Sequence, residues 1–187
     1  MVNAVHRVIE RQVAERADQP AIVNERGLIT YRELNARANA LARGLIGCRF
    51  QRGAHAVVEI DRSPELAITL LGILKAGGAY SWTESAQAPR LSVEGLAPIA
   101  LTPLLSRAVV AASPNLPILT RGSDIACVLP DEAGSLSVAI PHESIVSMQR
   151  PTATAAAWLY EASAFDLWAS LMAGTTLSIP LTLQTAA

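Results

Sequence analysis

The chain has 187 residues, 51% of them hydrophobic and 17% charged, which is enough for one domain, or two small ones, with a sizeable core and excludes a disordered tail. Fifteen basic against sixteen acidic side chains leave a formal net charge of -1, and no basic run interrupts that balance. Nucleic acid and anionic membrane, which both need a basic face, are therefore not expected as partners. The longest apolar run, LAITLLGIL before Lys75, is far below the ~18 residues of a membrane span, and charges stand in the N-terminal segment where a signal peptide needs its apolar stretch. The expected location is the cytoplasm. Cys48 and Cys127 form no CxxC and read as two free, buried thiols.

In chain order, AVHRVIERQVAERA predicts a helix whose Val5, Val8, Ile9 and Val13 form one apolar stripe. PAIVNERGLIT predicts two short strands around a turn at Asn24 to Gly27. TYRE announces the second helix, with Thr30 as N-cap and Glu33 completing a capping box; Leu34, Ala38, Leu41 and Leu45 mark its inner face. HAVVEI predicts a buried strand. It is followed by a helix capped by Ser63 and opened by Pro64, where the missing N–H costs nothing. Gly77 and Gly78 can end that helix in a left-handed conformation before a strand at AYSW, completing a βαβ unit. Lys75, the single lysine beside fourteen arginines, sits at the helix C-terminus, a favourable place for a cation.

Residues 83–123 carry several prolines and weak periodicity; a helix around Leu101 to Ala112 and a strand near Pro117 to Leu119 are expected. Strands return at ACVL and SLSVAI, a helix starts near Pro141, TAAAWLY is strand-like, AFDLWASLMAG is a short helix ended by Gly174, and TTLSI is the last strand. No repeat or linker divides the chain. The expected fold class is α/β, a layered sheet with flanking helices, in one domain over residues 1–187.

These segments, in this order, resemble the opening part of the adenylation domain of nonribosomal peptide synthetases, members of the AMP-forming acyl- and aminoacyl-adenylating family. ITYRELNARANALARGL (29–45) is close to the family's first core motif, and RSPELAITLLGILKAGGAY (62–80) to the stretch ending in its second. AIPHESIV (139–146) resembles the segment after the phosphate loop, and YEASAFDLWASLMAGTTLSI (160–179) the fourth motif, which in the family opens with Phe-Asp-x-Ser. The resemblance implies part of the N-terminal subdomain of adenylate-forming enzymes. It also implies a chemistry in which a carboxylate is joined to ATP, pyrophosphate leaves, and the acyl-adenylate passes to a carrier thiol.

That chemistry needs backbone N–H groups, hydroxyls and cations around the phosphates. In the family a Thr/Ser/Gly-rich loop ending in Pro-Lys-Gly supplies them. Here PDEAGSLS occupies the place, and the fifteen residues from Val128 to His142 fall a few short of the family spacing. Asp131 and Glu132 stand where hydroxyls should, and no Lys or Arg lies in the loop. At an effective dielectric of ~20, like charges ~4 Å apart repel by roughly 4 kcal/mol. Gly134 and Ser135 remain, but one Gly-Ser pair does not make a phosphate nest. The segment reads as a vestigial phosphate loop.

The resemblance places Glu161 where the family has the aspartate that pairs with the substrate α-amino group, with Tyr160 in place of Phe. His142 matches the family's histidine near the active site. Together they mark a vestigial substrate pocket. The alternative for Glu161 is a drifted acid at a strand end, and for His142 a structural cap on the following helix. A chain of this length is expected to lack the family's adenine, ribose and magnesium motifs and its C-terminal lid, and Lys75 is not placed to replace the lid lysine. No catalytic residue, metal site or cofactor is expected. Ser, His and Asp are present, but without a GxSxG elbow they do not suggest a hydrolase.

The leading expectation is a non-catalytic, truncated adenylation-like domain, a structural or docking module in a nonribosomal peptide synthetase with condensation, carrier or tailoring domains as its partners. Truncation would expose apolar surface, so a homodimer or partner interface is also expected. The alternatives are an N-terminal fragment of an ATP-dependent, amino-acid-activating adenylation domain, and a small-molecule binder using a pocket around Glu161.

Overall fold

The computed structural model of the chain describes residues 3–85, 87–107, 113–117, 120–130, 137–148 and 163–179. Helix α1 (Val5–Arg16) buries Val5, Val8 and Ile9, with Val13 packed at the margin of the core. Strands β1 (Pro20–Asn24) and β2 (Gly27–Thr30) form an antiparallel hairpin closed by Asn24 opposite Gly27. The Asn24 side chain accepts the Arg26 amide at 3.0 Å, and Gly27 takes φ 142°, a conformation that glycine adopts without penalty. Helix α2 (Tyr31–Gly47) starts as its sequence predicts: Thr30 Oγ1 accepts the Glu33 amide at 3.2 Å. The Glu33 carboxylate turns towards Arg37, 3.9 Å away. Leu34, Ala38, Leu41 and Leu45 are fully buried.

The βαβ unit is present. β3 (His55–Glu59) and β4 (Ala79–Thr83) pair in parallel from His55↔Ala79 to Glu59↔Thr83, joined by α3 (Pro64–Lys75). Ser63 Oγ accepts the Leu66 amide at 3.2 Å. From Leu66 to Lys75 every residue of α3 is buried, so this helix has no solvent face. Of the two glycines after it, Gly77 has the left-handed φ of 82°. Gly78 serves a different purpose: a Cβ there would lie 2.4 Å from Phe50 Cζ and 2.9 Å from the Ala54 carbonyl oxygen. HAVVEI is only half buried, since Ala56 and Val58 point into the core while His55 and Val57 face out.

Two strands are not among those expected from the sequence: β5 (Arg90–Val93), antiparallel to β3, and β6 (Ile99–Ala100), paired with β5. Helix α4 (Leu101–Arg107) begins where expected, and residues 108–112 lie outside the described part. The strand expected near Pro117 is not formed at 117 itself, and 118–119 are outside the described residues, as is the strand-like 154–160. β7 (Ile125–Pro130), β8 (Ser137–Pro141), α5 (His142–Ser147), α6 (Ser163–Ala173) and β9 (Leu177–Ser178) complete the order. Gly174 ends α6 with φ 74°.

The strands form a six-stranded sheet, β6-β5-β3-β4-β7-β8, and a three-stranded sheet, β2-β1-β9, in which β9 runs parallel to β1. α2 packs on the small sheet and on α3, α3 packs on β4, and α1 packs against α2, α3, α5 and α6, so the helices join the two sheets. Trp168 of α6 donates to the Tyr80 hydroxyl at 2.7 Å inside this core. Cys127 is buried, and burial pushes its thiol up to about 11. Cys48 is exposed, because it follows the last turn of α2 rather than its inner face. No helix among the described residues is long and apolar enough to cross a membrane.

A buried ion pair links the layers. Lys75 is the last residue of α3, but its ammonium does not reach solvent: the side chain is 1% exposed and meets the Glu10 carboxylate of α1. Glu10 also takes Arg7 at 2.8 Å, and Asn115 Oδ1 accepts from Lys75 at 3.4 Å and from Asn39 at 3.0 Å. Burial pulls the Lys75 ammonium down to about 8 against the opposing pull of Glu10.

Glu10→Ala leaves the ammonium buried without its main partner and is expected to cost about 3 kcal/mol in urea unfolding, whereas Glu10→Leu combined with Lys75→Met should lie within about 2 kcal/mol of wild type. Gly78→Ala, forced against Phe50 and backbone, should cost about 1–3 kcal/mol by the same measurement. Gly47→Ala, at a helical position where a Cβ meets nothing within 4 Å, should stabilise by about 0.5–1 kcal/mol.

Candidate functional site

The frame of the candidate site is the β7–β8 hairpin and the helix that follows it. β7 holds Cys127 opposite Ile140, Val128 opposite Ala139 and Pro130 opposite Ser137. Paired antiparallel positions stand ~5 Å apart, so the six-residue connection 131–136 leaves and returns at adjacent points. Asp131, Glu132, Gly134 and Ser135 belong to that connection and lie outside the described residues, as does Glu161. Of the site residues named from sequence, the structure therefore places His142 alone.

His142 is the first residue of α5, whose N-cap is Pro141 and carries no side-chain cap. The expectation that His142 caps its own helix is not met. Its Nδ1 instead accepts the Val5 amide at 3.3 Å, satisfying one of the orphan N–H groups that open α1. An accepting Nδ1 makes the ring a neutral imidazole with its proton on Nε2. The ring is 1% exposed, and His6 stands edge-on to it with centroids 5.7 Å apart. Burial pulls His142 down to about 4, with a smaller opposing effect from Asp124; His6 is also held well below its ordinary value by burial and by its neighbours His142, Lys75 and Arg7. A sealed, neutral imidazole that holds a backbone amide is not poised to exchange protons with a substrate. Nothing in the local sequence signals this role, because Val5 and His142 are 137 positions apart.

Ligands of open α/β sheets sit beyond the carboxyl ends of the parallel strands. At that edge, Trp82 donates to the Ile60 carbonyl at 2.8 Å and Arg62 stacks over the Trp82 ring at 5.3 Å. Arg62 also holds Glu84 at 2.7 Å, and Arg90 holds Glu59 through Nη2 at 2.9 Å. The two cations placed here each face a carboxylate. Among the described residues, no three His, Cys, Asp or Glu side chains come together as a metal set.

The His142 pair makes stability depend on pH with a definite sign. The unfolded imidazole binds a proton below about 6.5 and the folded one only below about 4, so stability falls as pH drops through that window. The expected loss is on the order of 3 kcal/mol across the window. Urea midpoints at pH 7 and pH 5 should differ more in wild type than in His142→Gln, whose amide oxygen can still accept the Val5 N–H.

Comparison with known proteins matches residues 9–97 to the AMP-binding enzyme family. Tyrocidine synthase 3 of Brevibacillus parabrevis is 40% identical over 103 residues, which is 53% of this chain and 2% of that protein. The N-terminal subdomain of Klebsiella oxytoca NpsA, solved with 3-hydroxyanthranilyl-AMSN, superposes with a TM-score of 0.74 at 24% identity, over 94% of this chain and 53% of that one. An artificially fused adenylation–PCP di-domain, NpsA-ThdA, gives 0.75 at 24% identity over 96% and 40% of the respective chains. The chain thus spans a small part of its curated relative and about half of the solved subdomain. Residues 9–97 are similar to the AMP-binding enzymes, and the fold is that of the N-terminal part of an adenylation domain.

Proposed function

We propose that the chain serves a nonribosomal peptide synthetase as a non-catalytic part of an adenylation domain, one that builds the scaffold and holds neighbouring domains in register without steadying a triphosphate. The observation that carries this reading is the connection 131–136, which joins an intact hairpin with two carboxylates, Asp131 and Glu132, and no cation. The arginines described at the strand ends do not compensate, since Glu84 and Glu59 already face them. The pattern of a preserved frame and an acidic connection fits selection on shape. Its neighbours would be condensation, carrier or tailoring domains, and the solved adenylation–PCP fusion offers a precedent for this fold beside a PCP. The setting would be the synthesis of a peptide antibiotic.

A second reading is the N-terminal part of an active, amino-acid-activating adenylation domain. It is favoured by the 40% identity to tyrocidine synthase 3. In that case Glu161 would meet the substrate ammonium, and other segments would supply the charge that 131–136 lacks.

Amino-acid-dependent ATP–pyrophosphate exchange by the natural full-length product separates the two. Loss of several phosphate-stabilising donors, each worth about a hundredfold or more, predicts exchange at background for every amino acid on the first reading. Saturable exchange that disappears in Glu161→Ala would establish the second.

A further inference from the structure

We infer that His142 is an acid-operated clasp on helix α1: as a neutral imidazole it caps the first turn from across the chain, and its protonation releases that turn from α5 as a local unit. The device starts from a helix that does not cap itself. α1 begins after Ala4, which has no side-chain cap, and its first turn holds no acidic residue. A helix start leaves N–H groups without intrahelical partners, and Ser, Thr, Asp or Asn ordinarily serves them. Here the Ala4 carbonyl accepts the amides of Arg7 and Val8 at 3.0 and 3.2 Å, and the Val5 amide goes to Nδ1 of His142 at 3.3 Å. A hydroxyl or amide oxygen in that place keeps its lone pair at every mild pH. An imidazole loses Nδ1 to the first proton it takes. The hydrogen bond from Val5 then breaks, because two N–H donors face each other.

The surroundings do not stabilise the charge. From α1, His6 stands edge-on to the ring at 5.7 Å, with Arg7 behind it, and α3 brings Lys75. The turn before β7 brings Asp124, but its carboxylate already accepts the Arg121 amide at 3.0 Å and Arg52 at 2.9 Å. Glu10 is occupied by Lys75 and Arg7. Glu143 of α5 and Asp166 of α6 are exposed. Nε2 of His142 and Nδ1 of His6 are buried with no hydrogen-bond partner among the described residues. With the two residues 1% and 2% exposed, a proton from solvent reaches His142 when the turn opens, so acid acts by trapping the open form. The opening is local. Beyond the first turn, α1 stays pinned by Glu10 to Lys75 and by Arg16 to the Gly174 carbonyl at 3.2 Å. What parts is the contact between the start of α1 and α5, the helix that follows the β7–β8 hairpin.

In the open form His142 titrates near its ordinary 6.5 and in the closed form near 4, which raises the open population about twentyfold from pH 7 to pH 5. Hydrogen exchange in the natural full-length product, read by mass spectrometry and corrected for the intrinsic pH dependence of amides, measures this on residues 5–8, with the buried α3 residues 66–75 as reference. Protection at 5–8 should fall at least about twentyfold at pH 5. It should not respond to urea well below the unfolding midpoint, since a local opening exposes little surface, whereas protection in α3 should. His142→Gln, whose oxygen accepts the Val5 amide without titrating, should remove about twentyfold of the acid effect. His6→Gln, which leaves the cap in place, should keep that part. A urea response at 5–8 equal to that of α3 overturns the inference, because global unfolding then accounts for the exchange, and wild type alone decides this if His142→Gln does not fold. An acid effect undiminished in a folded His142→Gln also overturns it. Residues 131–136 take no part in the clasp, so its failure and the outcome of ATP–pyrophosphate exchange are separate.

Discussion

The ammonium of Lys75 ends a helix without a polar side, and every neighbour it has is another part of the protein. Stripping water from a charge of that size costs several kcal/mol unless an opposite charge is brought to it. Glu10 is that charge, and it comes from α1 rather than from anywhere near Lys75 in sequence. The pair therefore dictates that α1 lies across α3 with one register. A slide by one turn would bury an unpaired carboxylate and an unpaired ammonium together. Arg7, one turn earlier on α1, meets the same carboxylate, and Asn115 reaches the ammonium from an irregular segment.

From that pair the polar seams spread outwards. Asn39 donates to the Ser113 carbonyl at 2.7 Å, and Arg43 reaches Ser113 Oγ and the Pro114 carbonyl, each at 2.6 Å. Residues 113–117 have no helix or strand of their own, so these side-chain bonds satisfy backbone groups that a ladder would otherwise satisfy. At the start of α1, His142 holds the Val5 amide, and the Tyr31 hydroxyl ties α2 to the Leu171 and Thr175 carbonyls. Apolar contacts supply most of the cohesion, but they would tolerate small displacements. The polar bonds do not, and each joins elements far apart in the chain.

This distinction accounts for what could be read from the sequence. The stripe of α1, the Thr30 and Ser63 caps, the βαβ unit and the left-handed Gly77 are local signals and appear in the structure where the residues place them. β5 and β6 are not among the expected strands although Arg90–Val93 alternates polar and apolar between Pro89 and Gly95, because four residues are too short a window to stand out; the pairing with β3, in which Arg90 meets Glu59 and Leu91 lies beside Val58, makes β5 a strand. Gly78 was legible as a glycine but not for its reason, since Phe50 and Ala54 approach from other elements. The partner of Lys75 and the role of His142 depend on contacts across 65 and 137 positions, which no window of sequence holds.

The same separation of local from long-range contacts applies to the β7–β8 hairpin and its acidic connection. β7 is anchored by Tyr80↔Cys127 to β4 and by its own ladder to β8, and the helix after β8 is anchored by His142 to α1. None of these contacts involves residues 131–136. Because the ladder already brings Pro130 and Ser137 face to face, the connection need only close a short gap, and closure entropy varies slowly with loop length. Its composition therefore has little leverage on folding. Phosphate binding, by contrast, would depend on that composition almost entirely. The hairpin and the helix after it can therefore hold their places whatever the composition of residues 131–136, and only a ligand-binding role would be sensitive to the charge of Asp131 and Glu132.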